Sequence, residues 1–191
     1  MLLHTLISAV IAATSVLAAP LESRANFPGF FTPVSTWQYS VKNGAIAATT
    51  TSVKVYKSPS NQGDDKTALL TVKYSSVSDG MQCQFKFYLA PSANPIGSRQ
   101  LDLFTSNSPA PGPTNGWGPG NQRNLHLGRF KVAPGQSSTW ISKDHPYLTK
   151  KTPCKKAGTI EAFELVGVND LDSINWDPTS PWGPRIVWSP T

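Results

Sequence analysis

Residues 81–90 alternate without a break. Met81, Cys83, Phe85, Phe87 and Leu89 fall on one side, and Gln82, Gln84, Lys86 and Tyr88 fall on the other. Side chains that switch sides at every residue belong to a half-buried strand, and a helical stripe cannot reproduce that spacing. The same alternation points Cys83 inward. It returns over 67–74, where Ala68, Leu70, Val72 and Tyr74 share a face. Trp37, Tyr39 and Val41 alternate up to Asn43-Gly44, and Ile46 resumes beyond it; Asn-Gly between alternating runs is the strongest short-range hairpin signal. Leu125 and Leu127 share one phase while Phe130 and Val132 share the other, so the slip at Gly128 predicts a bulge. Weaker strands are expected over 53–57, 99–104, 138–142, 159–166, 172–176 and 185–188. Beyond the N-terminal leader no segment carries a convincing helical repeat. Roughly nine or ten short strands punctuated by Pro, Gly, Asn and Asp predict an all-β fold: an antiparallel β-sandwich, with a closed β-barrel as the alternative.

The N-terminus reads differently. The first 23 residues contain no Lys or Arg, the chain is apolar from Leu6 to Leu17, and Ala18-Ala19 precede Pro20. Residues 1–19 therefore match a secretory signal peptide. An apolar core of about 12 residues falls short of the ~20 that a spanning helix needs. Residues 20–31 form an N-terminal arm or a short pro-segment trimmed after Arg24, and residues 32–191 form a single domain. The expected location is extracellular or in a cell wall. In that oxidising setting the two cysteines, Cys83 and Cys154, are expected to pair, a reactive thiol at Cys154 beside its lysines being the alternative. Closing a loop of about 70 residues stabilises by roughly 4 kcal/mol in the chain-entropy account. No transmembrane segment, no hydrophobic-tail lipid anchor and no N-glycosylation acceptor follows the leader.

The 17 basic residues against 11 acidic ones leave a formal charge of +6. Such a protein is drawn to acidic wall polymers, phospholipid head groups or sulfated glycans. Lys143, Lys150, Lys151, Lys155 and Lys156, with His145 nearby and only Asp144 in opposition, make up the densest basic stretch. Nucleic acid is not an expected partner, since no stripe of arginines interleaved with aromatics supports it.

Catalytic patterns are weak. There is no Gly-x-Ser-x-Gly string, and His126 and His145 show no metal-ligand spacing. Glu161 and Glu164 stand three apart, which on a strand sends them to opposite faces. Asp170, Asp172 and Asp177 fit a polar turn better than a calcium loop. The chain reads as a non-enzyme, and nothing in it asks for a metal or a cofactor. Aromatic surface is the stronger signal. Trp37, Trp140, Trp176 and Trp188 sit in or near strands and are expected in the core. Trp117 and Trp182 stand beside Gly and Pro, where strand pairing is disfavoured, and each is followed shortly by an arginine, Arg123 and Arg185. These four are the candidate ligand-binding residues, because an exposed indole stacks on a sugar, a lipid interface or a partner's pocket. Trp117 lies in 106–121, a segment of 16 residues with four Pro and four Gly that predicts a long surface loop.

Several stretches recur together in one known group. They are Trp37-Gln38-Tyr39-Ser40-Val41 leading into Asn43-Gly44; Leu69-Leu70-Thr71-Val72 before Cys83-Gln84-Phe85-Lys86-Phe87-Tyr88-Leu89; Gly128-Arg129-Phe130-Lys131-Val132-Ala133-Pro134-Gly135; Pro153-Cys154 before Ile160-Glu161-Ala162-Phe163-Glu164-Leu165; and Asp177-Pro178 ahead of Ser180-Pro181-Trp182-Gly183. In this order they resemble the fungal secreted proteins carrying the But-two C-terminal domain. The resemblance implies an all-β extracellular domain with the two matched cysteines joined, and it implies no activity. The Pro/Gly loop and the lysines before Cys154 depart from the pattern. The function expected is that of a secreted, non-enzymatic interaction protein meeting an anionic surface or a host component. The alternatives are a carbohydrate-binding module using Trp117 and Trp182, and a glycoside-active hydrolase.

Overall fold

The computed structural model describes residues 29–117 and 122–190. The signal peptide and most of the arm lie outside the described residues. The end of the arm is a short strand, β1 (Phe30–Phe31). There follow β2 (Ser35–Ser40), β3 (Ile46–Ala48), β4 (Val53–Lys57), β5 (Lys66–Lys73), β6 (Gln82–Tyr88), β7 (Ile96–Gly97), β8 (Gln100–Ser106), β9 (Arg123–Lys131), β10 (Thr139–Ser142), β11 (Thr152–Pro153), β12 (Ile160–Gly167), β13 (Asp172–Trp176) and β14 (Gly183–Ser189). Ten of these strands have four residues or more. Every strand expected from the periodicity is present, with ends shifted by a residue or two.

Two antiparallel sheets make a sandwich. The smaller runs β1-β14-β6-β11. The larger runs β10-β9-β8-β12-β5, with β2 on the other side of β5 and β3 beside β2. β4 joins β5 only at Tyr56↔Lys66, beyond the point where β12 stops, and leads on to β13 and β7. That handover curls the large sheet into a half-barrel rather than a closed barrel. Among the described residues no helix is long and apolar enough to cross a membrane.

The core is the space between the sheets. From β6 the residues Cys83, Phe85 and Phe87 enter it while Gln82, Gln84, Lys86 and Tyr88 stay on the outside. Leu70, Leu103, Phe130, Phe163 and Leu165 meet them from the large sheet, and Ile186 comes from β14. The rings of Phe85 and Phe130 have centroids 5.7 Å apart, and Phe87 meets Trp176 edge-on at 5.1 Å. Each fully buried phenylalanine contributes about 1.5–3 kcal/mol by leaving water. The Cys83–Cys154 disulfide clasps the edge of the small sheet, spanning 71 positions, where Thr152 of β11 is Cα partner to Cys83.

Local signals behaved as their chemistry requires. Asn43-Gly44 turns β2 into β3: Gly44 has φ +70, and Asn43 Oδ1 accepts from the Ala45 N–H at 3.0 Å. At the slip in β9, Gly128 pairs with Leu103 but His126 pairs with Phe104, so Leu127 is the extra residue of a bulge. Gly128 sits at φ +152, and a Cβ there would lie 2.5 Å from the Ser142 carbonyl oxygen.

The structure refines two expectations and corrects one, the core placement of Trp37. Leu125 is 40% exposed while Leu127 is fully buried, and a second register shift lies beside it between Phe104 and Ser106. Trp37 packs outside the main core, in a small cluster with Tyr39, Ile46 and Leu69 on the outer face of the large sheet. The described part of the Pro/Gly segment is the expected surface loop, and it is tied down. Thr114 and Ile46 exchange both backbone hydrogen bonds at 2.8 and 2.9 Å, and Trp117 N–H donates to the Gly44 carbonyl at 2.8 Å, which straps residues 107–117 across the β2–β3 hairpin.

Candidate functional site

The site begins with a turn. Asp177 Oδ1 accepts from the Thr179 hydroxyl at 2.7 Å and from the Thr179 N–H at 2.8 Å, and its carbonyl accepts from the Ser180 N–H. These bonds, the Thr179 hydroxyl first, hold the Asp177 carboxyl below its ordinary range. The turn delivers Pro181 and Trp182 to the start of β14. Gly183 completes the step: it has φ +106, and a Cβ would lie 2.6 Å from the Trp176 ring, so only glycine permits this entry into the strand.

From there the pleat decides which side each residue takes. Ile186 points into the core, so Arg185 points outward, as do Lys86 and Tyr88 on the neighbouring β6. Arg185 and Lys86 are direct Cα partners. Phe30 on β1 is partner to Val187, which brings its ring to the same outer face. The result is an aromatic cradle of about 220 Å³ lined by Phe30, Tyr88, Pro181, Trp182 and Arg185. The Arg185 guanidinium lies 4.4 Å from the Phe30 ring centroid and 4.7 Å from that of Tyr88. One of its terminal nitrogens donates to the Pro181 carbonyl. Its Nε is buried without a hydrogen-bond partner among the described residues, and the whole residue is only 8% exposed. Burial pushes the guanidinium down from its ordinary value, offset in part by Tyr88, yet an arginine stays charged at any physiological pH.

Lys86, half-buried beside Arg185, is likewise pushed down by burial and by the positive charge of Lys143. The five lysines expected as a basic patch (Lys143, Lys150, Lys151, Lys155 and Lys156) are all exposed, and residues 148–153 run along β6 on the side away from β14. Phe85 N–H donates to the Leu148 carbonyl at 2.9 Å, and the Gln84 amide donates to the Thr149 carbonyl at 3.1 Å, which docks the lysine-bearing segment on the small sheet. Among the described residues none of these five lysines, nor Lys86 or Arg185, has a carboxylate within ion-pairing distance. Lys155 Nζ instead sits 5.0 Å from the Tyr147 ring.

The other candidates lie elsewhere. Trp117 meets Tyr39 edge-on at 6.4 Å over the large sheet, on the opposite side of the sandwich from Trp182, so the two indoles form no common platform. Arg123 is engaged by the buried Glu164 through a two-pronged contact of 2.8 and 3.1 Å, and its guanidinium stacks on Phe104. Glu161 and Glu164 do take opposite faces. Glu161 accepts from the hydroxyls of Tyr74 and Tyr147, both pushed above their ordinary range by burial first and by the neighbouring charge and hydroxyls after it. Asp172 is a loop organiser, accepting from the Ser98 hydroxyl and from the N–H groups of Arg99 and Val168. His126 lies between Asp144 at 2.9 Å and Asp102 at 3.4 Å, and His145 Nδ1 accepts from the Tyr147 N–H in a turn.

Of the sequence candidates, the fold thus joins Trp182 and Arg185 in one place and brings the lysine stretch to the same sheet. It adds Phe30, Tyr88 and Lys86, which the sequence reading passed over. The outward phase of β6 was the available signal, since it carries a lysine and a tyrosine on a face left to solvent. The cradle is thus lined by one cation, three aromatic side chains and a proline. No family model and no curated protein sequence matches the chain.

Proposed function

We propose that this chain is a secreted, non-enzymatic fungal protein of the But-two C-terminal domain kind that binds anionic polymer outside the cell, in or near a wall. One observation carries the reading: Lys86 and Arg185 stand opposite each other on one sheet, the segment bearing five exposed lysines docks on the edge of that sheet, and none of these cations has a carboxylate partner among the described residues. Like charges set directly opposite across a sheet destabilise it. A cluster of this kind that lacks internal counter-ions is explained by a partner that supplies them. The hydrophobic leader at residues 1–19 and the disulfide fit a life outside the cell.

The test is retention of the full chain on acidic and on neutral wall polymers across a salt series. Exposed charges are screened within about 10 Å at 0.1 M salt. Retention on the acidic matrix is expected to fall by about tenfold or more as salt rises towards 1 M, and to fall at fixed low salt when Lys143, Lys150 and Lys151 are replaced by Glu. Retention that ignores both salt and the charge reversals overturns the proposal.

A further inference from the structure

The lysines explain attraction to any polyanion, but they do not explain the cradle. Its lining is aromatic and apolar, from Phe30, Tyr88, Pro181 and Trp182, with one cation, Arg185, in contact with two of the rings. Keeping Arg185 there has a cost: a charged residue only 8% exposed, one buried N–H without an acceptor among the described residues, and Lys86 facing it across the ladder. The cavity of about 220 Å³ is smaller than the roughly 300–1,000 Å³ typical of drug-sized ligands, and it opens to solvent on the outer sheet face.

Each ligand class answers a different part of this arrangement. A bare sulfate or phosphate would meet the charge and leave the aromatic wall unused. A neutral hexose would stack on Trp182 and leave Arg185 and Lys86 without counter-charge. An acyl chain exceeds the space. A sugar acid answers both: its C–H face lies on an aromatic ring, and its ring carboxylate faces the cations.

We infer that the cradle of Phe30, Tyr88, Trp182 and Arg185, with Lys86 paired to Arg185 on the same outer face, is a subsite for one hexuronate unit of an acidic polysaccharide. This rests on the anionic-polymer reading and narrows it to a chemical class. The carboxylate provides the negative charge that the protein itself does not place there, and the indole sets the orientation of the sugar. The exposed lysines along residues 143–156 then follow the neighbouring acidic units of the same polymer.

Titration of the full chain by tryptophan fluorescence and calorimetry with short oligogalacturonates decides the matter, with fully methyl-esterified oligogalacturonates and dextran sulfate as matched probes. The esterified sugar keeps the ring and loses the charge; dextran sulfate keeps charge without the carboxylate. Oligogalacturonate should bind at least tenfold more tightly than its ester, and Trp182→Ala and Lys86→Gln should each weaken it about tenfold, a change of 1.4 kcal/mol. Both substitutions lie on the outer face, so unchanged circular dichroism is expected; Trp182→Phe, which keeps a ring, should restore part of the loss. Equal affinity for ester and acid, or dextran sulfate binding as tightly as oligogalacturonate with no effect of Trp182→Ala, overturns the uronate subsite and leaves the anionic reading standing. Failure of the wild-type chain to bind any of the acidic probes removes both.

Discussion

The outer faces of the two sheets differ in their carboxylates: the large sheet carries them and pairs them, and the described strands of the small sheet carry none. On the large sheet the outward-facing carboxylates of β8 and β12, Asp102 and Glu164, are both paired. Glu164 is held by Arg123, Asp102 by Arg129 and His126, and Asp144 by His126. The β2–β3 hairpin and the strap of residues 107–117 then cover part of that surface with Tyr39, Ile46 and Trp117. On the small sheet Lys86 and Arg185 face each other without a carboxylate, and the aromatic rings beside them stand partly open. Charges that exist to stabilise a fold are paired within it; charges left unanswered against the grain of stability point to something outside the chain. The contrast teaches where to look for function in a molecule whose core carries no obvious chemistry.

The strongest way to break the comparison is on the large sheet. Arg123→Met removes the partner of a carboxylate that is fully buried, and stability should drop by about 3 kcal/mol in urea unfolding, with binding to acidic polymer nearly unchanged below the midpoint. A loss under ~1 kcal/mol would show that the pairing rule does not divide the faces.

On the small sheet the sign should reverse. Lys86 is pushed down by burial and by Lys143, so the folded state holds that proton less readily than the unfolded chain. Its charge therefore works against folding at neutral pH, and the penalty fades as pH rises from the depressed folded value towards the ordinary 10.5. Lys86→Met should raise stability by about 0.5 kcal/mol near pH 7 while lowering retention on an acidic matrix. A variant that is less stable and still fully retained would contradict the division.

The smallest effect concerns an exposed ion pair at the start of β5. Asp64 is held below its ordinary 3.8 by the hydrogen bond from Lys66, then by that from the Ser40 hydroxyl. The contribution is present above that ordinary value and disappears as pH falls through the lowered one. Because the pair is open to solvent, Asp64→Asn should cost no more than about 0.5 kcal/mol at pH 7, and the two melting curves should converge near pH 2. A gap that persists in acid would mean that the carboxylate acts through something other than its charge.

Much of the fold could be read from residues 37–46, 67–74 and 81–90, because alternation, Asn-Gly and Gly128 act over a few residues and report the backbone directly. Trp37 was misplaced, and the exposure of Leu125 was not legible, for a common reason. Alternation says that a residue changes side, but which side is the core depends on bulges and on what packs above the strand. The candidate site was half legible: Trp182 and Arg185 stood out by type and spacing, while Phe30, Tyr88 and Lys86 looked like ordinary strand residues. Trp117 and Arg123 resembled Trp182 and Arg185 in sequence, yet Tyr39 and Glu164 engage them.

The amino-acid order alone determined that this chain builds strands, where it turns, and that its two cysteines have each other as partners, since each follows from short-range geometry or from simple arithmetic. Only the tertiary structure decided which outward faces meet. β1, β6 and β14 come from residues 30, 82 and 183 onward, and their order and register place an aromatic cradle around one arginine. Strand pairing across such distances is set by how the whole core fills, and a local pattern holds no record of that.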